Sequence, residues 1–150
     1  MIVILVRVFR SIVSCAAVVI LSGAVAGCDD SPNAPSNFAP FTQTDLQVGT
    51  GADAQNGDIL TVRYTGWLFD ESATAQKGPQ FDSSEGREPL SFVLGAGQVI
   101  GGWDQGLPGM KEGGLRRLIV PPSLGYGGVR NQSIPPNSTL VFEIELLQVQ

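Results

Sequence analysis

Residues 99–107, VIGGWDQGL, break the pattern that governs the rest of the chain. Their large apolar residues are spaced by one, three and four positions: Val99, Ile100, Trp103 and Leu107. This spacing places them on one side of a short helix, and Pro108 would end that helix. The segment therefore predicts a single short helix in a chain whose other apolar residues alternate.

Three glycines weaken this helix, because each costs up to ~1 kcal/mol relative to alanine. They are Gly101, Gly102 and Gly106. Tertiary packing must therefore hold the helix. We interpret Gly101 and Gly102 as residues without a β-carbon that let the helix lie close to a sheet while Trp103 points into a cleft.

Alternating apolar residues on both sides of this segment predict strands. The predicted strands cover residues 59–69, 89–94, 115–120 and 139–149, with a weaker strand within 42–48. In the last of the four, Leu140, Phe142, Ile144 and Leu146 share one face. Short strands joined by Gly- and Pro-rich turns favour an antiparallel sheet. We therefore predict an α+β fold, with a curled antiparallel sheet of about five strands wrapped around one short α-helix.

The N-terminal segment has the character of a secretory signal. Residues 1–27 contain two arginines, no acidic residue, and an apolar run from residue 12 that is shorter than the ~20 residues a membrane span requires. Residues 25–28, VAGC, resemble the bacterial lipobox, which implies lipidation of Cys28. The alternative is an uncleaved N-terminal anchor. We predict a signal peptide over 1–27, a flexible tether over 28–41, a folded domain over 42–150, and an extracytoplasmic, lipid-anchored location in the bacterial cell envelope.

Charge and composition exclude several classes of function. Without residues 1–27 the chain keeps seven basic and fourteen acidic residues, which argues against a nucleic-acid partner. Cys28 would be its only cysteine, so no intrachain disulfide is expected. The chain has no histidine, which excludes Ser-His-Asp and Cys-His nucleophiles and a His-rich zinc site. We expect no metal and no cofactor.

Aromatic residues stand beside or near glycines at four places, at Tyr64, Phe81, Trp103 and Tyr126. Each has a simpler interpretation as core filling or as part of a turn. Together they predict one apolar cleft.

Five segments carry a resemblance to a known family. They are VRYTGWL at 62–68, QFDSS at 80–84, FVLGAGQVIGGWDQGL at 92–107, GYG at 125–127 and IPPNSTLVFEIELL at 134–147. In order and spacing they resemble the FKBP-type (macrolide-binding) peptidyl-prolyl cis-trans isomerases over about residues 42–150. The resemblance implies an antiparallel sheet around one short helix, proline-containing polypeptides as substrates, and macrolides of the rapamycin class as possible inhibitors.

The resemblance also implies a role for individual residues. Trp103 would form the floor of a proline pocket, with Tyr64, Phe81 and Phe142 as walls and Val99 and Ile100 at the rim. The Ile100 N–H would donate to a ligand carbonyl. Tyr126 would offer a hydroxyl, Asp82 a carboxylate at the pocket edge, and Arg87 a partner for Asp82 and Tyr64. Ile134 would belong to a covering loop, and Leu90 stands where many members have an aromatic residue.

Several alternatives stay open at this point. Residues 70–80 are longer than in compact members, and we expect a solvated bulge there, or a segment that contacts substrate. Asp82 would act electrostatically on the substrate carbonyl, or would orient Arg87 and Tyr64. The expected function is a monomeric isomerase that speeds rotation about Xaa-Pro bonds in exported proteins without covalent catalysis. The alternatives are a non-catalytic proline-peptide-binding module or chaperone, and a structural protein of the envelope.

Overall fold

The computed structural model describes residues 38–150. It contains strands β1 (Thr42–Gln47), β2 (Ile59–Phe69), β3 (Lys77–Ser83), β4 (Leu90–Val93), β5 (Leu115–Val120) and β6 (Leu140–Val149), and helix α1 (Gly101–Gly106). The predicted signal peptide, the lipidated Cys28 and most of the predicted tether lie outside the described residues. Within residues 38–150, no helix has the length and apolar character that crossing a membrane requires.

The six strands form one antiparallel sheet, in which five follow the order β1-β5-β6-β2-β3 and β4 pairs with β2. The long strand β2 has two partners along one edge, because its first half pairs with β4 and its second half pairs with β3. The predicted antiparallel sheet around one short helix is confirmed, with six strands where about five were expected.

The additional strand, β3, corrects the prediction for residues 70–80. We expected a solvated bulge there, but Lys77 pairs with Phe69 and Gln80 pairs with Trp67 at the edge of the sheet. Only residues 70–76 form a turn, which ends in a short 3-10 segment. The sequence KGPQFDS hides this strand because its apolar residues do not alternate and it contains Pro79. Proline is tolerated on an edge strand, where its missing N–H removes no ladder bond.

The helix begins later than its apolar pattern suggests. Ile100 is extended, with φ −62° and ψ 149°, so Val99 and Ile100 precede α1. A β-carbon on Gly102 would lie 2.5 Å from Val120 Cγ1, which confirms that this glycine allows close approach to the sheet. The same role for Gly101 is wrong, because Gly101 is exposed and its β-carbon would lie 3.6 Å from Leu124 Cδ2.

The core lies between α1 and the inner faces of β2, β5 and β6. The alternation predicted for β6 is confirmed, since all four of its inward-facing apolar side chains are at most 2 % exposed. Phe41 packs against this core, although it falls within the predicted tether. The predicted domain boundaries themselves stay predictions.

Candidate functional site

The floor of a cleft on the concave side of the sheet is formed by Trp103. Its indole is 4 % exposed, and α1 presents it to three aromatic rings. The ring centroids lie 5.1 Å from Tyr64, 5.8 Å from Phe92 and 5.4 Å from Phe142. Its indole N–H has no hydrogen-bond partner among residues 38–150. The edge-to-face arrangement with Tyr64 and Phe142 fixes the orientation of the floor.

One wall of the cleft depends on Gly66 in β2. Phe81 and Phe142 meet there edge to face, with ring centroids 5.6 Å apart. A β-carbon on Gly66 would lie 2.6 Å from Phe81 Cζ and 2.9 Å from Phe142 Cε1. The glycine in the segment VRYTGWL therefore makes room for the two rings.

The rim of the cleft is the segment that leads into α1. Val99 and Ile100 lie half-buried at the edge of the cavity. The turn before them is held by Asp104, whose carboxylate accepts from the N–H groups of Gly95 at 2.9 Å and Gly97 at 3.0 Å. The rim is thus fixed to the same helix that carries the floor.

A polar network closes the opposite edge. The Tyr64 hydroxyl donates to Asp82 Oδ2 at 2.5 Å, and Arg87 Nη2 donates to Asp82 Oδ1 at 2.6 Å. The Ser83 N–H donates to the same Oδ1 at 2.9 Å, and Arg87 also donates to the Ser83 carbonyl. Both oxygens of Asp82 are therefore engaged by donors of the protein.

This network shifts the pKa values of its members in opposite directions. Burial and the hydrogen bond to Asp82 raise the pKa of Tyr64 from 10.0 to about 12. Burial alone would raise the pKa of Asp82, but the bonds from Tyr64, Arg87 and the Ser83 N–H outweigh it and lower that pKa. Burial and the nearby Asp82 charge raise the pKa of Tyr126. Near neutral pH, Asp82 is therefore ionised and both tyrosines are neutral.

The cleft encloses about 350 Å³. The structure brings together nine predicted site residues and one that was not predicted: Tyr64, Phe81, Asp82, Leu90, Val99, Ile100, Trp103, Tyr126 and Phe142, with Gln98. Two further predicted residues, Arg87 and Ile134, line an adjoining polar cavity of about 180 Å³ that shares Phe81, Asp82 and Tyr126. Within residues 38–150, no three acidic or cysteine side chains come together as a metal site.

Sequence reasoning missed three residues of this site. Gln98 lines the cleft, and its side-chain oxygen accepts from the Val93 N–H at 2.8 Å. Phe92 packs against the floor, and Asp104 anchors the rim. Phe92 is buried and lies within the predicted strand 89–94, so its apolar character in that strand could have indicated its position. Nothing in the sequence distinguishes Asp104 from a solvent-exposed helix residue.

The family profile for “FKBP-type peptidyl-prolyl cis-trans isomerase” matches residues 51–147. The chain belongs to this family. The FKBP domain is 51% identical over 107 residues to the “FK506-binding protein” of Neisseria meningitidis serogroup B, an alignment that covers 70% of this chain and 92% of that protein. It is 43% identical over 105 residues to “FK506-binding protein 1” of Aspergillus oryzae, covering 67% of this chain and 90% of that protein.

Solved structures agree with the FKBP assignment. FkpA from Escherichia coli is 42% identical, with a TM-score of 0.63 over 73% of this chain and 48% of that chain, so this protein spans about half of FkpA. AtFKBP13 is 39% identical, with a TM-score of 0.60 over 73% of this chain and 93% of that chain. The FKBP fold predicted from the sequence is therefore confirmed. The roles of individual site residues stay predictions.

Proposed function

We propose that this FKBP-type isomerase accelerates rotation about Xaa-Pro bonds in polypeptides exported to a bacterial cell envelope. The proposed isomerase activity is supported by the apolar cleft of about 350 Å³ above Trp103, which has aromatic walls and a rim formed by Val99 and Ile100. A prolyl ring is apolar and compact, so it suits a cleft of this size and lining.

The cleft acts by removing water and by fitting a twisted amide. An Xaa-Pro bond rotates over tens to hundreds of seconds, behind a barrier of roughly 18–20 kcal/mol that reflects loss of amide resonance. The planar amide is more polar than the twisted one, so a dry aromatic site disfavours the ground state relative to the transition state. An acceleration of 10⁴ requires about 5.5 kcal/mol. No nucleophile or proton relay is required, in agreement with a chain that has no histidine.

Within this mechanism Asp82 orients its neighbours. Its two oxygens already accept from Tyr64, Arg87 and the Ser83 N–H. A carboxylate held in this way keeps the Tyr64 ring in place as a wall. The Ile100 N–H donates to no acceptor among residues 38–150, so it is free to bind the substrate carbonyl.

The activity is tested with the full-length chain purified in detergent. Cis-trans exchange of an Xaa-Pro tetrapeptide is followed by NMR exchange spectroscopy, with and without rapamycin. We expect acceleration that rapamycin abolishes, and a loss of about tenfold in kcat/KM for Trp103→Phe. Asp53→Asn is the control, because it removes a surface carboxylate that pairs with Lys111 outside the cleft. Tight peptide binding without acceleration would support the non-catalytic binding module instead.

The envelope location is proposed from the N-terminal sequence. Residues 25–28, VAGC, follow an apolar run, and lipidation of Cys28 would tether the FKBP domain at a membrane surface as a monomer. Mass spectrometry of the processed N-terminus tests this proposal. We expect a chain that begins at an acylated Cys28. An unmodified Cys28, or retention of residues 1–27, would reject the lipid anchor without bearing on isomerase activity.

A further inference from the structure

Arg116 is the one charged residue among residues 38–150 that is buried, with 5 % of its surface exposed. It lies on β5 with its side chain on the same face as Leu118 and Val120, the face that packs against α1. A buried guanidinium is costly unless its charge and its donors are matched. Its partners therefore indicate what the residue does.

The guanidinium of Arg116 connects two separate parts of the fold. Nε and Nη2 donate to the two carboxylate oxygens of Asp45 on β1, at 2.6 and 3.1 Å. Nη1 donates to the carbonyls of Gly106 at 2.8 Å and Pro108 at 3.3 Å, at the C-terminal end of α1. The last carbonyls of a helix have no partner within it, and a cation is favoured at that end.

Helix α1 meets β5 at three successive points. A β-carbon on Gly102 would lie 2.5 Å from Val120 Cγ1, and one on Gly106 would lie 2.7 Å from Leu118 Cδ2. The third point is the pair of hydrogen bonds from Arg116. The two glycine contacts limit how closely the helix approaches, but van der Waals contacts have little directionality. Hydrogen bonds are directional, so the contact from Arg116 is the one of the three that depends most on the position of the helix along the strand.

We propose that Arg116 is a positioning residue for the pocket floor: it fixes α1 along β5 and thereby sets the position of the Trp103 indole, while Asp45 holds the guanidinium in place. Trp103 lies three residues before Gly106 in a helix of six residues, so a shift of the helix end moves the indole as well. The kinetic consequence of this proposal rests on the proposed isomerase function.

The test uses the full-length chain with Trp67→Phe, which leaves Trp103 as the only tryptophan. Arg116→Met removes every donor but keeps most of the aliphatic volume. Arg117→Met is the matched control, because Arg117 is the next residue on β5 and its guanidinium pairs with Glu143. Emission and acrylamide quenching of Trp103 report the position of the floor. These are compared with kcat and KM for an Xaa-Pro peptide, under conditions where urea titration shows both variants folded.

We expect a shifted emission maximum, increased quenching and about a tenfold loss of kcat/KM for Arg116→Met, with Arg117→Met within about twofold of the parent. Arg116→Lys offers a single ammonium, so it should restore part of the loss. If Arg116→Met does not fold, Arg116→Lys and Asp45→Asn are measured instead. For each we expect a smaller change in Trp103 emission, quenching and kcat/KM, in the same direction.

The proposal is overturned if the folded variants match Arg117→Met in Trp103 emission, quenching and kcat/KM, even where their stability is lower. That result would make the Arg116 contacts purely structural. If the parent chain shows no isomerase activity, the proposed function fails, but the Trp103 fluorescence still decides whether Arg116 positions the floor.

Discussion

The Tyr64 hydroxyl donates to Asp82 Oδ2 at 2.5 Å, a bond that favours the protonated tyrosine and the ionised aspartate. The pKa of Tyr64 rises to about 12 through burial and this bond, while hydrogen bonds lower the pKa of Asp82 despite its burial. The chain has no histidine that could titrate between them.

The first prediction concerns the pH dependence of activity. Because Asp82 stays ionised and Tyr64 stays neutral, kcat/KM should be constant from about pH 5 to about pH 9. NMR exchange measurements across this range test it in the full-length chain. A bell-shaped profile centred near neutrality would contradict a mechanism without proton transfer.

The second prediction compares two adjacent glycines of α1. Gly102→Ala should lower the free energy of unfolding by roughly 1–3 kcal/mol, because its β-carbon would meet Val120 at 2.5 Å. Gly101→Ala should raise it by about 0.4–1 kcal/mol, since that position is exposed and has room for a methyl group. Urea titration of both variants is the measurement. Equal effects at the two positions would contradict the observed packing.

The third prediction concerns Leu90, which is 38 % exposed at the wall of the cleft. Leu90→Phe should extend the apolar wall and tighten rapamycin binding about fivefold, equivalent to about 1 kcal/mol of additional apolar burial. It should change kcat/KM for a short Xaa-Pro peptide by less than about twofold, because a small substrate makes less use of this wall. Isothermal titration calorimetry and exchange kinetics measure the two effects. A parallel change in both would show that Leu90 contacts the prolyl ring itself.

The fourth prediction concerns a charged cluster formed by Glu143 with Lys77 and Arg117. The carboxylate lies 2.7 Å from Lys77 Nζ and 2.8 Å from Arg117 Nη2. Burial alone would raise the pKa of Glu143, but its two basic partners outweigh that effect and lower it. Its contribution to stability is therefore present above the unfolded-state pKa and is lost as pH falls through the folded-state value.

Glu143→Gln should accordingly lower the free energy of unfolding by about 1 kcal/mol at pH 7, and by much less near pH 3. Urea titrations of the parent and the variant at both pH values test this. A difference that does not depend on pH would assign the effect to packing instead of charge. Activity should be unchanged, because Glu143 does not line the cleft.

The sequence alone was sufficient to predict the strands and the helix whose apolar residues recur with a clear period. The alternation in β6 predicted its inward face, and the helical spacing around Trp103 located the helix to within two residues. It was insufficient for β3, because an edge strand with Pro79 needs no continuous apolar face. It also assigned Gly101 and Gly102 the same role, since residue type alone does not tell which glycine faces the sheet.

The site was predicted less completely, because its polar part depends on strand register. The pairing of Gly66 with Asp82 across β2 and β3 places that carboxylate beside Tyr64. No local sequence pattern predicts this pairing. Only the family resemblance predicted that Asp82 lies at the edge of the pocket, near Tyr64 and Arg87. The resemblance did not predict a role for Gln98 or Asp104 either. Both side chains act through hydrogen bonds that they accept from backbone N–H groups, of the strand before the rim and of the turn that leads to it.

Strand β6 lies in the middle of the sheet although it is formed by residues 140–149. During synthesis, β5 and β2 are therefore made first but cannot be joined until this segment has emerged. Phe142 lies on this strand, so the cleft above Trp103 is complete only when β6 has paired with β2 and β5. A chain in which β6 is still unpaired consequently lacks one aromatic wall of its own cleft.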